Sequence, residues 1–268
     1  MTSTFPSAET FRVNATRRSS IYWKEIKYEF LKRLRMPVYS LSLVLFPTMF
    51  YTLFGLLMNR NGSIHQVGAA TYLMATMACY GVMGVGLFGF GVGVAVERGQ
   101  GWLEVKRASP MPAAAPFVGR LGTCLLFSIV VAIPLLIAGT AFGGVRMSLS
   151  QVLLFIAALV AGSIPFCALG LAIGYFARPN SASAIVNLIY LPLSFFSGLW
   201  MPIEAFPPAL QKVGHMLPPY HFGQLVLNVA GAHNGVVGVH LEVLTGFALI
   251  CLGLARLGFQ RDEGKLYG

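Results

Sequence analysis

The chain has 268 residues, of which 56% are hydrophobic and only 10% are charged. A soluble domain of this length usually carries about a quarter charged residues, so the composition excludes an ordinary soluble protein and indicates a lipid environment. The formal net charge of +10 would also suit a nucleic-acid partner, but the distribution of the basic residues along the chain gives another explanation.

The first predicted element is an amphipathic helix within "SSIYWKEIKYEFLKRLRMP", after a polar stretch that ends near residue 16. A basic amphipathic helix with aromatic residues lies along a membrane surface. The alternative, an ordinary solvated helix, would leave its apolar stripe uncovered. We therefore predict that residues 1–36 form a cytoplasmic N-terminus with a membrane-interface helix. Its predicted apolar positions are Tyr22, Trp23, Ile26, Phe30 and Leu34.

Six long apolar runs follow, and each supplies the roughly 20 residues that a transmembrane helix needs. The predicted spans are about 37–59, 68–96, 118–142, 150–176, 182–201 and 235–256. The first run is not a signal peptide, because it follows a long basic segment and exceeds the length of a signal h-region. The predicted fold is therefore an all-α integral membrane protein, with a six-span transmembrane domain at 37–256 and a cytoplasmic tail at 257–268.

Lysine and arginine are concentrated on one side of these spans. With six spans, 16 of the 19 basic residues fall on one side, and Arg60, Arg146 and Lys212 fall on the other. Because cytoplasmic loops are enriched in basic residues, we predict cytoplasmic termini in a bacterial inner membrane. Topology and contact with anionic lipid then explain the net charge, so no nucleic-acid partner is predicted.

The glycine-rich sequence "GVMGVGLFGFGVGV" occupies residues 81–94, inside the second run. It contains a GxGxxG pattern, but the dinucleotide fingerprint requires a strand before it and a helix after it, so we reject that interpretation. Gly86, Gly89 and Gly93 are instead predicted to share one helical face, because small residues let helices approach closely in lipid. This face could meet a neighbouring helix, a second subunit or a substrate path.

A charged island, "ERGQGWLEVKRASP", separates the second and third spans at residues 97–110. Gly99 and Gly101 permit a turn into a short helix, and Trp102, Val105 and Ser109 fall near one face of it. Such a face can insert into a pocket of a partner while the neighbouring charges form charge-assisted contacts. The alternative is a solvated loop with positive-inside charge, which would not need the tryptophan.

The sequence "SGLWMPIEAFPPALQKVGHMLPPYHFG" at residues 197–223 contains five prolines. Proline fits the first turn of a helix and breaks its interior. Pro207 or Pro208 can therefore start a short helix, which Pro218 and Pro219 end. We predict a broken helical hairpin that dips into the outer leaflet before the last span, a backbone arrangement that requires protein or a wet cavity around it.

Motifs for catalysis and for metal binding are missing from the sequence. It has no P-loop, HExxH or GxSxG motif, so we predict a non-catalytic chain without a cofactor or metal. The four cysteines lie in apolar runs without metal-ligand spacing. The five histidines fall on or near the outer side, where we interpret them as loop and interface residues, with metal binding as the alternative.

Two of these segments, in this order and topology, resemble the permease subunit of type 2 ATP-binding cassette (ABC) exporters, and the resemblance covers nearly the whole chain. In the first segment Trp102 replaces a small polar residue of the family pattern, and in the second Leu217 stands where an asparagine is common. The residues of the first segment that match are Glu97, Arg98, Gly101, Leu103, Glu104 and Pro110. Those of the second are Ser197, Gly198, Pro202, Pro207, Leu210, Pro218 and Tyr220.

The resemblance implies that residues 97–110 form a coupling helix that docks on a separate ATPase subunit. ATP and Mg would be bound by that partner, present in two copies. A second permease copy, most simply in a homodimer, would complete the pathway. The expected ATPase-coupling residues are Glu97, Arg98, Gly101, Trp102, Leu103, Glu104 and Arg107.

The resemblance also implies export of an amphipathic or hydrophobic molecule, such as a drug or lipid. The alternatives are a polysaccharide or lipid-linked glycan exporter of the same family, a non-transporting signalling or regulatory subunit, and a membrane-embedded enzyme. Candidate pathway and packing residues, besides the three glycines, are Phe50, Tyr51, Asn187, Tyr190, Phe195, Phe196 and Trp200. The candidate outer hairpin contains Pro202, Glu204, Pro207, Pro208, Pro218 and Tyr220.

Overall fold

The computed structural model of the chain describes residues 15–58, 63–64, 67–103, 105, 111–112, 114–232 and 235–263. Its helices are α1 (Ala15–Leu34), α2 (Pro37–Phe50), α3 (Ala69–Gly86), α4 (Gly93–Gly99), α5 (Ala115–Ala141), α6 (Leu149–Phe176), α7 (Pro179–Phe196), α8 (Pro208–Met216), α9 (Pro218–Val229) and α10 (Val237–Glu263). A π-helical segment, Tyr51–Met58, extends α2, and another, Leu87–Val92, joins α3 to α4. The strands β1 (Ser63–Ile64) and β2 (Val67–Gly68) form a small antiparallel pair.

Five of the described helical stretches are long and apolar enough to cross a membrane. They are Ser40–Leu57, Ala69–Gly99, Ala115–Ala141, Leu149–Phe176 and Val237–Arg261. These stretches coincide with the first four predicted spans and the sixth, and they confirm an all-α membrane protein. The predicted fifth span overlaps α7, which is not among the five, so the six-span arrangement stays a prediction.

The second candidate span, Ala69–Gly99, forms the centre of the molecule. Its most apolar window is 78% buried, against 17% for Val237–Arg261 at the periphery. Helices α2, α5, α6 and α9 all pack around α3. Because α3 is rich in alanine, glycine and methionine, neighbouring helices can approach it on every side.

The helix backbones approach each other most closely where the second and fourth candidate spans cross. A Cβ atom on Gly170 of α6 would lie only 2.6 Å from the carbonyl oxygen of Gly86, and one on Gly174 would lie 3.1 Å from that of Gly91. A π-helical turn has wider residue spacing than an α-helical turn. The segment between α3 and α4 therefore brings Gly86 and Gly91, five positions apart, onto the face that meets α6.

Candidate functional site

The segment that follows α4 begins with a tight turn at Gly101. Gly101 has a φ of +74°, a backbone conformation that disfavours residues with a side chain. Trp102, Leu103 and Val105 are helical. Trp102 and Val105 are 55% and 59% exposed, whereas Leu103 is buried. The predicted coupling residues Glu104 and Arg107 lie outside the described residues.

Glu97, expected to contact an ATPase, is buried within the chain instead. Its Oε2 atom lies 2.5 Å from Nη2 of Arg120 on α5, and its Oε1 atom lies 3.2 Å from Nζ of Lys32 on α1. The carboxylate is thus neutralised by two other helices. Glu97 thus attaches the start of the segment to α1 and α5, and its expected role in ATPase coupling stays a prediction.

Arg98, the next predicted coupling residue, also binds inside the chain. Its guanidinium donates hydrogen bonds to the carbonyl oxygens of Tyr175 and Ala177, the latter at 2.6 Å. These carbonyls belong to the C-terminal end of α6, where orphan acceptors and the negative end of the helix dipole favour a cation. Arg98 therefore attaches the end of α4 to the turn between α6 and α7.

Gly99 completes this attachment by allowing α7 to begin against it. A Cβ atom at Gly99 would lie 2.1 Å from Cγ of Pro179, the first residue of α7, so a side chain would displace that helix. A cavity of about 850 Å³ opens beside the contact. Its lining includes Gln100, Arg178 and Asn180, so polar groups surround the base of the segment.

Glu97 belongs to a larger group of charges, the ion cluster, made of Glu29, Lys32, Arg33, Glu97 and Arg120. Arg33 Nη2 lies 3.3 Å from Oε1 of Glu29 and 2.8 Å from the carbonyl oxygen of Gly89. Arg120 is 2% exposed and its Nε lies 4.0 Å from Oε1 of Glu29. Buried charges require partners of opposite sign to offset the cost of desolvation. In this cluster the two carboxylates and the two buried guanidinium groups are partners for each other.

The roles of Glu29, Arg33 and Arg120 in the ion cluster were not predicted from the sequence, although a signal was present. Arg120 lies within the predicted third span, where an ionisable residue indicates a buried partner. Glu29 and Arg33 are four residues apart in a predicted helix and therefore meet on one face.

The predicted membrane-interface helix, α1, packs largely against protein. Ile26 would contact any side chain placed at Gly122 of α5, at 2.7 Å from its Cβ, and the rings of Phe30 and Phe127 are 5.1 Å apart. Tyr22 is partly buried, whereas Trp23 and Leu34 are exposed. The apolar stripe is therefore divided, because α5 covers Ile26 and Phe30 while Trp23 and Leu34 remain on the surface.

The three glycines predicted to share a face have different surroundings. Gly86 packs against the backbone of α6, with 2.9 Å from its Cβ position to the amide nitrogen of Cys167. The carbonyl oxygen of Gly89 accepts from Arg33, and the Cβ position of Gly93 lies 3.2 Å from the same guanidinium. The structure thus assigns Gly86 to helix packing and places Gly89 and Gly93 beside the ion cluster.

Three of the candidate pathway residues form one aromatic cluster. Trp200 lies 4.6 Å from Phe50 and 5.1 Å from Tyr80, measured between ring centroids. Tyr190 stacks on Tyr80 at 4.7 Å and donates a hydrogen bond to its carbonyl oxygen at 2.9 Å. The cluster joins α2, α3 and α7, and Tyr80 is a member that sequence analysis did not identify.

The remaining pathway candidates lie elsewhere. Tyr51 is fully buried, with its hydroxyl near the Cβ positions of Gly139 of α5 and of Gly143, which follows α5. Asn187 is exposed on α7 and bonds only to its own helix, at the carbonyl oxygen of Ser183, among the hydrogen bonds of the described residues. Phe195 and Phe196 pack around Phe206, at the beginning of the proline-rich segment.

A cavity of about 780 Å³ extends from the ion cluster between α1, α2, α4 and α7. Its walls are apolar for most of their extent, and charged side chains of the ion cluster lie at one end. The lining includes Lys32, Glu97, Leu43, Phe88, Val92 and Ser183. This combination suits a molecule with an apolar body and a polar end.

The proline-rich segment contains the short helix that the proline positions predicted, α8, and a second short helix, α9, that they did not. Pro208 is the first residue of α8 and Pro218 is the first of α9, which matches the preference of proline for that position. Pro202 and Pro207 precede the short 3₁₀ turn Ile203–Ala205 and α8 respectively. The carbonyl oxygen of Glu204 accepts from Gln211 at 3.3 Å, which closes the turn onto α8.

Histidines meet where this segment contacts α10. Nδ1 of His221 lies 2.8 Å from Nδ1 of His240, and Tyr220 packs edge-on to His215 at 4.6 Å. Burial, and then the neighbouring His240, lower the pKa of His221, while a hydrogen bond with the His215 backbone opposes this. Within the described part of the chain, no group of three or more metal-binding side chains occurs.

Comparison with known proteins shows the family. Residues 22–230 match the sequence model of the ABC-2 type transporter family. The chain belongs to the ABC-2 type transporter family. It is also 30% identical over 208 residues to YvfS of Bacillus subtilis (strain 168), a protein named as a transport permease, and the match covers 76% of this chain and 83% of YvfS.

Membership of the ABC-2 family gives the chain its class. It is a multi-pass membrane protein and a permease, a transmembrane subunit that does not itself catalyse a reaction. In this family an ABC ATPase is a separate partner. Both the segment after α4 and the proline-rich segment lie within the matched residues.

Proposed function

We propose that this ABC-2 permease exports an amphipathic or hydrophobic molecule across the bacterial inner membrane, driven by two ATPase subunits that dock on residues 97–110. The single observation that carries the docking proposal is the exposure of Trp102 and Val105 on a segment that Glu97 and Arg98 hold in place. Large exposed apolar side chains on a fixed backbone suit the centre of a protein interface. Glu97 and Arg98 act as anchors of this surface.

The proposed topology has six spans and cytoplasmic termini, with α7 as the fifth span. The proposed dimer is a homodimer whose copies face each other through α7. Ser183, Asn187 and Leu188 lie on its exposed face, and the amide of Asn187 would be costly to expose to lipid. A second copy, or the water of a pathway between two copies, would supply polar surroundings.

The proposed cargo site is the cavity between α1, α2, α4 and α7. Its apolar walls and charged end support an amphipathic cargo taken from the cytoplasmic side. Aromatic rings of Phe50, Tyr190 and Trp200 lie between α2, α3 and α7, where they would form the next section of the pathway. The hairpin of α8 and α9 would close the outer end.

Docking is tested by purifying the tagged chain from its native membrane in mild detergent and identifying the proteins that accompany it. An ATPase subunit in equal amount is expected. Trp102→Ala with Val105→Ser should remove that subunit, because the exposed apolar surface is lost. Phe142→Ala is the matched control, since Phe142 is similarly exposed at the opposite end of α5. A chain that purifies without any ATPase would overturn the proposal.

Cargo transport is tested in inverted membrane vesicles with an amphipathic cationic dye and a fluorescent phosphatidylethanolamine. ATP-dependent movement of at least one probe is expected. Val92→Trp should reduce it, because the larger side chain fills the cavity, whereas Leu254→Trp on the exposed side of α10 should leave it unchanged. Transport that Val92→Trp does not affect would place the cargo elsewhere.

A further inference from the structure

We propose that the ion cluster is the link through which the ATPase-docking segment moves α1 and α5, with Arg120 as the positioning residue. The proposal rests on the proposed function, since it assumes an ATPase on residues 97–110. Beyond the proposed function, it names the helices that follow the movement of that segment and the side chains that transmit the movement.

The packing of the helices divides the cytoplasmic end into two bodies. The backbone of α4 packs against α6 and α7, and among the described residues it makes no comparably close approach to α1 or α5. Helix α1, by contrast, lies along α5. The Cβ position of Gly119 is 3.2 Å from the backbone carbon of Glu25, and that of Gly122 is 2.7 Å from Ile26. We therefore treat α1 with the adjoining end of α5 as one body and α4 with α6 and α7 as the other, and the two also meet where α5 packs against α3 and α6.

Long charged side chains bridge the two bodies. Glu97 extends from α4 to Arg120 of α5 and to Lys32 of α1. Arg33 of α1 reaches the carbonyl oxygen of Gly89 at 2.8 Å, in the π-helical segment just before α4. A displacement of α4 by a docked partner would thus pull on both α1 and α5 through these contacts.

The chemistry of the cluster suits a positioning role better than a role in stability. A buried ion pair is often no more stabilising than apolar side chains of the same volume. Apolar contact is non-directional, so it would let α4 slide along α5. Charge-assisted hydrogen bonds fix distance and angle, and Arg120 lies between Glu97 and Glu29, with its guanidinium 5.8 Å from the ring centroid of Phe90.

The test measures how far each body moves when the complex with its ATPase binds nucleotide. Spin labels are placed at Lys27 on α1 and at Gln100 after α4, each paired with a reference label at Ser150, all of which are exposed. The four native cysteines are buried, so the introduced cysteines take the label. Labelled chain is diluted with unlabelled chain, and distances are compared without nucleotide and with ATP and vanadate.

In the unaltered chain, binding of ATP and vanadate should change both the Lys27–Ser150 and the Gln100–Ser150 distance. Arg120→Met should keep the change in the Gln100–Ser150 distance and lose the change in the Lys27–Ser150 distance. Arg120→Lys, which keeps the charge and loses the planar fork, should show an intermediate loss and serves if Arg120→Met does not fold. Arg256→Met is the control, at an exposed arginine on α10.

Two results would overturn the link. One is a change in the Lys27–Ser150 distance that persists in Arg120→Met. The other is a change at Gln100 but none at Lys27 in the unaltered chain. Failure of the proposed function looks different, because then no ATPase accompanies the chain or neither distance responds to nucleotide.

Discussion

The rings of His221 and His240 share a short contact of 2.8 Å between their Nδ1 atoms, which joins α9 to the start of α10. One nitrogen must donate and the other accept, so the contact requires at least one neutral ring. Both rings are buried, and Tyr220 packs edge-on to each of them. His215 and Tyr220 are the other titratable neighbours from the hairpin. The junction between hairpin and last helix is thus built for neutral histidine.

Acid should therefore weaken this junction. The pKa of His221 is lowered from its ordinary value of 6.5, so below that pH the unfolded chain takes up a proton that the folded chain does not. Stability is then fully present above about pH 6.5 and falls as the pH drops further. The melting temperature in detergent, measured from pH 8 to pH 5, should show this decline.

His240→Gln is the matched variant for that measurement. It removes the second ring while keeping a polar side chain, so His221 loses its neighbouring imidazole and the decline between pH 6.5 and pH 5 should become shallower. Identical pH profiles for the two proteins would show that the pair does not control the junction.

The glycine crossing of the second and fourth candidate spans gives a second prediction. Gly170→Ala places a methyl group 2.6 Å from the Gly86 carbonyl oxygen, and both atoms belong to packed helices that cannot easily move apart. We expect a loss of about 1–3 kcal/mol in the free energy of unfolding, as for other overpacked cores. Gly253→Ala on α10 is the control, because its Cβ position has nothing within 4 Å. Equal stability of the two variants would contradict the close crossing.

The turn at Gly101 gives a third prediction. Its φ of +74° costs a residue with a side chain about 1–2 kcal/mol, although a Cβ atom there would meet nothing within 4 Å. Gly101→Ala should therefore weaken ATPase binding by up to about tenfold, through misplacement of Trp102. Gly101→Asn should weaken it less, because asparagine tolerates this conformation better. Titration of the purified subunits measures both, and a larger loss for asparagine would contradict the explanation.

Periodicity and proline positions were sufficient to predict most of the helices. The apolar runs predicted five helices that the structure contains at nearly the same residues, because length and hydropathy are local properties. The proline signal for the start of α8 was equally local, whereas α9, which begins at Pro218, was not predicted. The sequence did not predict the π-helical segment that begins at Leu87, which changes the residue spacing between Gly86 and Gly93, so their expected shared face stays a prediction.

The contacts within the candidate site were less predictable, because the residues that contact each other are far apart in sequence. Glu97 meets Arg120 and Lys32, and Arg98 meets the end of α6. These pairings depend on helix packing, so the motif alone suggested surface charges. Trp102, in contrast, is exposed as the predicted helical face implied.

The last prediction separates anchors of the coupling segment from its contact residues. Arg98→Ala removes two charge-assisted hydrogen bonds to the end of α6, and bonds of this kind contribute about 1.5–3 kcal/mol each to stability. It should lower the free energy of unfolding and also weaken ATPase binding. Trp102→Ala should weaken binding alone, since the side chain is exposed. Arg256→Ala controls for charge at the same end of the molecule. Thermal unfolding and ATPase titration on the same preparations give both values, and an Arg98→Ala protein of unchanged stability would show that Arg98 is not an anchor.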